Sequence, residues 1–224
     1  MNKLEAWQAI KNIGKVEFIE KIKPEKLSTD RQDILFKFIQ GETDVSYSCR
    51  PDIEEYALKV LMPEIYESLP HEGHLYSSCE IYEYDPPKNG QNIIKHGLGF
   101  GEVVSYSTQF GALLVPCPDN KDGTRYVILS DLTLERESDK LALPPAGIRE
   151  INYTISIAHR RHGKFRFISA RLISSKKKKY EETIAQALGE IITDEQARQC
   201  FIHRCVNIAE TNLFRLTTPI ARPY

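Results

Sequence analysis

The clearest local signal in this chain of 224 residues is the segment INYTISIAHRRHGKFRFISARLI, residues 151–173. β-Branched and aromatic side chains dominate it on both sides of the polar run His159–Gly163, and this pattern predicts a β-hairpin. Gly163 can take the positive φ that a longer hairpin loop commonly requires. We therefore predict two antiparallel strands, Ile151–Ala158 and Lys164–Ile173, joined by the polar run.

Strand-like segments continue on the N-terminal side of this hairpin. From about residue 75 to residue 134 the chain is rich in Tyr, Val, Ile and Thr, and turn sequences such as Pro86–Gly90 interrupt it. The predicted strands are Leu75–Tyr84, Glu102–Tyr106, Phe110–Val115 and Arg125–Leu134. Together with the hairpin, they predict a largely antiparallel sheet.

Helical periodicity lies on both sides of the strand region. After Pro51, apolar residues from Ile53 to Leu61 recur at the spacing of one helix face, and residues 1–70 as a whole favour helices. A stripe from Tyr180 to Ile192 and a capping box at Thr193–Gln196 predict two C-terminal helices. The predicted fold class is α+β: N-terminal helices, a central largely antiparallel sheet and two C-terminal helices. We expect a helical subdomain at residues 1–70 and a sheet-containing body at 71–224, or one compact domain throughout.

Composition favours a folded intracellular protein. Hydrophobic residues make up 41% of the chain and charged residues 27%, which is typical of globular domains. The five cysteines are odd in number and scattered, and no hydrophobic leader begins the chain, so we expect a reducing, cytoplasmic setting. The longest apolar stretch, near Ala112–Val115, is far shorter than the ~18 residues of a membrane span, so no transmembrane segment is expected. No spacing predicts a cofactor or a metal site.

Basic residues are concentrated in one part of the sequence. The formal net charge of the chain is -1, yet residues 151–180 contain no Asp or Glu and hold nine of the 30 Lys and Arg residues, so the other 21 stand against all 31 acidic residues. Such a separation of charge attracts and orients an anionic partner. The predicted anion-binding residues are Arg160, Arg161, Lys164, Arg166, Arg171, Lys176, Lys177, Lys178 and Lys179.

The lysine run is placed where it does not stabilise a helix. Ser174 or Ser175 can cap a helix whose first turn contains Lys176–Lys179, and cations are unfavourable at that end of the helix dipole. Backbone N–H groups and ammonium groups at a helix start suit a phosphate. The alternative is that the run is only a solvated surface.

Three functional hypotheses follow. The first is a non-enzymatic protein that binds nucleic acid, DNA or RNA, or another polyphosphate through these cations. The second is a matrix-type structural or assembly protein, which holds an acidic membrane surface or a nucleoprotein on its basic face and self-associates. The third is an enzyme acting on a phosphorylated substrate, with His96, Glu102 or Tyr106 as acid–base groups beside the basic residues.

The glycine-rich segment His96–Gly101 resembles a phosphate loop in composition only. A dinucleotide-binding loop needs a strand before it and a helix after it, whereas Val103 and Val104 favour a strand at this point. We therefore interpret the segment as a turn.

Overall fold

The structure is a computed structural model that describes residues 2–69, 76–77, 82–110, 112–116, 124–131, 153–173, 185 and 194–208. It has an α+β fold, as predicted. The chain divides into two compact units: one contains the described residues up to Phe100, and the other contains those from Gly101 onward. We describe each unit by itself.

The first unit is mainly helical. Its helices and short strands are α1 (Lys3–Lys11), α2 (Lys15–Ile22), α3 (Thr29–Gln40), α4 (Arg50–Leu61), α5 (Pro63–Ser68), β1 (Tyr76–Ser77), β2 (Tyr82–Tyr84) and α6 (Pro86–His96). A single 3-10 turn, Lys23–Glu25, follows α2, and β1 pairs with β2 in antiparallel register. The single strand predicted over Leu75–Tyr84 is wrong, because Tyr76 pairs with Tyr84 and Ser77 pairs with Glu83, so that two short antiparallel strands replace it. Residues 75 and 78–81 lie outside the described residues.

Local sequence signals explain the first helices. Asn2 and Glu5 form a reciprocal capping box at the start of α1, with the Glu5 N–H donating to Asn2 Oδ1 at 2.9 Å. Gly41 ends α3 with a φ of 77°. Ile53 and Leu61 of α4 are buried in the core of this unit, which confirms the predicted stripe.

The prediction of a turn at Pro86–Gly90 is wrong, because these residues begin α6. Proline is tolerated in the first turn of a helix, where its missing N–H has no intrahelical partner. Gly90 is buried in the helix interior, where a Cβ would lie 2.0 Å from the backbone oxygen of Asp52. Close packing of α6 on α4 therefore accounts for a glycine that local propensity alone disfavours.

The strand predicted at Glu102–Tyr106 is also wrong, because these residues belong to helix α7 (Phe100–Phe110). Two adjacent valines, Val103 and Val104, suggested a strand, yet both are buried along a helix. The side chain of Asn89 accepts a hydrogen bond from the Phe100 N–H at 2.8 Å, so the helix start is capped from α6.

The second unit contains an antiparallel sheet. Its strands are β3 (Ala112–Pro116), β4 (Arg125–Asp131), β5 (Tyr153–Arg161) and β6 (Lys164–Ile173), which lie side by side in that order. These strands confirm the predicted ones in number and order, except that Phe110 ends helix α7 and β5 continues to Arg161. Residues 132–134 and 151–152 of the predicted strands lie outside the described residues. Val127, Leu129, Ile155 and Ile157 are buried and share one face of the sheet.

Helix α8 (Glu195–Ile208) follows the sheet. The Ala197 N–H donates to Asp194 Oδ1 at 2.7 Å, so the helix cap lies one residue after the predicted one. The helix predicted over Tyr180–Ile192 lies outside the described residues except for residue 185. Within the described ranges, no helix has the length and apolar character needed to cross a bilayer.

Candidate polyanion-binding surface

A tight turn connects β5 to β6 and places basic residues at the strand ends. His162 and Gly163 have φ values of 48° and 81°, and positive φ at both central positions is the signature of a two-residue hairpin turn. The longer loop predicted over His159–Gly163 is therefore wrong, because His162 adopts the left-handed conformation and shortens it. Arg161 is a strand residue instead of a loop residue, and it pairs with Lys164.

The strand register gathers cations on one face of the sheet. Arg161 pairs with Lys164, His159 pairs with Arg166, and Arg125 of β4 pairs with His159. Paired residues share a face, and alternate residues along a strand return to it. We call this surface the basic hairpin face, and it consists of Arg125, His159, Arg161, Lys164 and Arg166.

Hydrogen bonds hold His159 and Arg125 together. Arg125 Nε donates to His159 Nε2 at 3.2 Å, and His159 Nδ1 lies 3.3 Å from Thr124 Oγ1. Because Nε2 accepts, this geometry corresponds to a neutral imidazole with its proton on Nδ1. The charge of the face therefore comes from its arginines and its lysine.

Arg125 is the site residue that sequence analysis missed. It begins a predicted strand, and its sequence separation from the hairpin gave no reason to group it with Arg161 or Arg166. The sequence does predict that this strand comes before the hairpin in an antiparallel sheet. Consecutive antiparallel strands usually lie side by side, so the start of this strand is expected near the end of the next one.

The basic hairpin face is partly exposed to solvent. Arg161 is exposed, while Lys164 and Arg166 are half-buried. In the part of the chain that the structure describes, no carboxylate forms an ion pair with Arg161 or Arg166. Their charges thus remain available to an external anion.

The opposite face at the hairpin tip is largely aromatic. Phe165 pairs with Arg160, and Phe167 pairs with Ala158, which confirms that the phenylalanines lie on the other face from Lys164 and Arg166. The Phe165 ring meets that of Tyr126 edge to face, with centroids 5.9 Å apart. Arg160 therefore does not belong to the basic hairpin face.

Arg171 lies on the same face as Arg161 but further from the tip. A bulge at Ile157/Ala158 shifts the register, so that Arg171 pairs with Ile155. Ile155 precedes His159 by four positions, a separation of about 13 Å along the strand. The remaining predicted cations, Lys176–Lys179, lie outside the described residues.

The predicted acid–base groups lie on helices. His96 is the last residue of α6, and Glu102 and Tyr106 belong to α7. Gly97 ends α6 with a φ of 74°, so the glycine-rich segment joins two helices, and the strand that a dinucleotide loop requires does not precede it. Among the described residues, no group of three His, Cys, Asp or Glu side chains is placed to hold a metal ion.

Comparison of the chain with protein-family models, with curated proteins and with solved structures finds no match.

Proposed function

We propose that this protein binds a polyanion, specifically nucleic acid, through the basic hairpin face. The observation that carries the proposal is the clustering of Arg125, Arg161, Lys164 and Arg166 on one face at one end of a sheet. The chain as a whole has a net charge of -1, so this clustering is not a consequence of general basicity.

The geometry suits a row of phosphates. Side chains paired across strands have Cβ atoms about 5 Å apart, and alternate residues on one strand are about 7 Å apart. Cations at these intervals can contact several phosphates of one backbone together. The tight turn fixes the backbone of the two strands, so binding needs to order only the side chains of the cations.

The test is the salt dependence of binding to a labelled DNA duplex, measured by fluorescence anisotropy between about 50 and about 200 mM salt. If about five phosphates are neutralised, log affinity against log salt has a slope of about -4 to -5. The triple variant R161Q/K164Q/R166Q should reduce the magnitude of this slope by about 3.

A matched control removes the same charge elsewhere. Lys23, Lys26 and Lys37 are exposed residues of the helical unit, and K23Q/K26Q/K37Q should retain the wild-type slope. Phosphate contacts position a protein without reading bases, so the hairpin variant should lose affinity equally for unrelated duplex sequences. K176Q/K177Q/K178Q/K179Q tests the predicted contribution of the lysine run in the same assay.

Two results would overturn the proposal. One is a wild-type affinity that does not change with salt. The other is equal weakening by the hairpin variant and the control variant. Sedimentation with acidic phospholipid vesicles, combined with no binding to the duplex or to single-stranded RNA of equal length, would instead support the matrix-type alternative.

A further inference from the structure

The helical unit contains a cavity of about 380 Å³ between the 3-10 turn, α4, α5 and the start of α6. Pro24, Val60 and Pro63 supply apolar wall, and Glu25 and Asp85 bring carboxylates to it. This volume is in the range of small-ligand sites, which combine apolar walls with a few placed polar groups.

The carboxylate of Glu25 is fixed through one oxygen. Tyr56 Oη donates to Glu25 Oε2 at 3.0 Å, Gln91 Nε2 donates to the same oxygen at 2.5 Å, and Lys95 Nζ lies 3.8 Å from it. Among the described residues, Glu25 Oε1 has no hydrogen-bond partner. Glu25 thus offers an oriented acceptor whose second oxygen is available.

Asp85 supplies a second available carboxylate. It occupies the N-cap position of α6, yet its side chain makes no capping hydrogen bond. Pro87 occupies the second helical position and has no N–H group to donate, which removes one of the two usual partners of a cap residue. Within the described ranges, no ion pair neutralises Asp85.

Three lysines line the same cavity and are held by other groups. Lys21 donates to the Leu61 oxygen at 3.0 Å, Lys59 lies 5.9 Å from the centre of the Tyr66 ring, and Lys88 donates to Gln91 Oε1 at 2.8 Å. In the described part of the chain, none of them forms an ion pair with Glu25 or Asp85. Lys21 also forms an ion pair with Glu17 at 3.2 Å. Among the described residues, Lys59, Lys88 and Asp85 are therefore the charged groups of this cavity without an ion pair.

We propose that this cavity binds a small aliphatic amino carboxylate. The ammonium group of such a ligand contacts Glu25 Oε1 and Asp85, its carboxylate is oriented toward the lysines, and its methylene chain packs on Pro24, Val60 and Pro63. A simple amine would leave Lys59 and Lys88 opposed by no anion, and a simple carboxylate would leave Asp85 and Glu25 Oε1 without a donor.

The test uses three probes of similar length, 4-aminobutyrate, butyrate and butylamine, titrated into the full chain by isothermal calorimetry. We expect 4-aminobutyrate to bind at least about tenfold more tightly than either of the others. Absence of 4-aminobutyrate binding overturns the proposal, and so does equal or tighter binding of butylamine or butyrate.

Variants locate the binding. Glu25→Gln and Asp85→Asn should each weaken 4-aminobutyrate binding at least about fivefold, while Glu42→Gln, at an exposed position outside the cavity, should leave it unchanged. Glu25 also supports Tyr56 and Gln91, so Asp85→Asn is the variant that separates binding from folding. Undiminished binding by folded Asp85→Asn would overturn the assignment of the ammonium contact.

Discussion

A Cβ built on Gly90 would lie 2.0 Å from the Asp52 oxygen, 2.5 Å from the Asp52 carbonyl carbon and 2.9 Å from the Ile53 nitrogen. All three are backbone atoms of α4, which cannot move away as a flexible side chain can. Glycine at this position therefore permits the contact between α4 and α6 that positions Asn89 against Asp52.

We expect Gly90→Ala to lower the free energy of unfolding by at least about 2 kcal/mol, because α6 must shift to relieve the overlap. Gly14→Ala is the control: Gly14 has a negative φ of -68° and no atom within 4 Å of its built Cβ. The loss of a glycine N-cap and the reduced entropy of the unfolded chain should nearly cancel there, leaving a change of about 0.5 kcal/mol or less. Urea unfolding of the full chain measures the free energy of unfolding of both variants. Equal unfolding midpoints for Gly90→Ala and Gly14→Ala would contradict the expectation.

Asp52 is a buried carboxyl group whose proton affinity depends on folding. Burial raises the pKa of Asp52 to about 6 from an ordinary value of 3.8, and the nearby charges of Glu55 and Asp85 act in the same direction. Hydrogen bonds from Asn89 and Tyr84 oppose this rise in the pKa. The folded protein consequently binds more protons than the unfolded chain between those two pH values.

The expected consequence is a free energy of unfolding that falls as the pH rises from about 4 to about 6, by up to about 3 kcal/mol from this group. Asp52→Asn has no proton to lose, so the difference in stability between wild type and variant should change across that interval and be constant above it. Urea unfolding between pH about 4 and about 7 measures this difference. Asp30→Asn, at an exposed position, is the control, and parallel pH profiles for wild type and Asp52→Asn would contradict the expectation.

The β5–β6 hairpin depends on the conformation of its turn. Gly163 has a φ of 81° and no atom within 4 Å of a built Cβ, so a substitution there is penalised by backbone conformation alone. We expect Gly163→Ala to destabilise the protein by about 1 kcal/mol. Gly163→Asn should destabilise the protein less, because asparagine tolerates the left-handed region of backbone conformation. Thermal unfolding of both variants tests this, and equal melting temperatures for the two would contradict it.

Elements specified by local periodicity were predictable, and elements specified by tertiary contacts were not. The stripe of α4 and the alternation of β6 are repeated within a few residues, so sequence alone indicates them. Helix α6 has two prolines and an interior glycine, and its helical conformation is supported by packing on α4. The Arg125 contribution to the basic hairpin face depends on pairing with His159, a register that no local pattern contains.

At the scale of the whole molecule, the local charge of the basic hairpin face predicts attraction to a polyanion, whereas the net charge of the chain predicts repulsion. The sequence pI is about 6.6, so above neutral pH the chain is on average repelled by a polyanion. Charges are screened beyond about 10 Å at moderate salt, so a polyanion at the basic hairpin face senses mainly the cations of that face.

We therefore expect the full chain to be retained on immobilised heparin at pH about 8, despite its net negative charge. R161Q/K164Q/R166Q should elute at lower salt than K23Q/K26Q/K37Q, although both variants carry the same net charge, because only the first removes cations from the face that meets the polyanion. Coincident elution of the two variants would mean that net charge controls retention, and an unretained wild type would mean that the cations of the face are too few or too widely spaced to hold a polyanion.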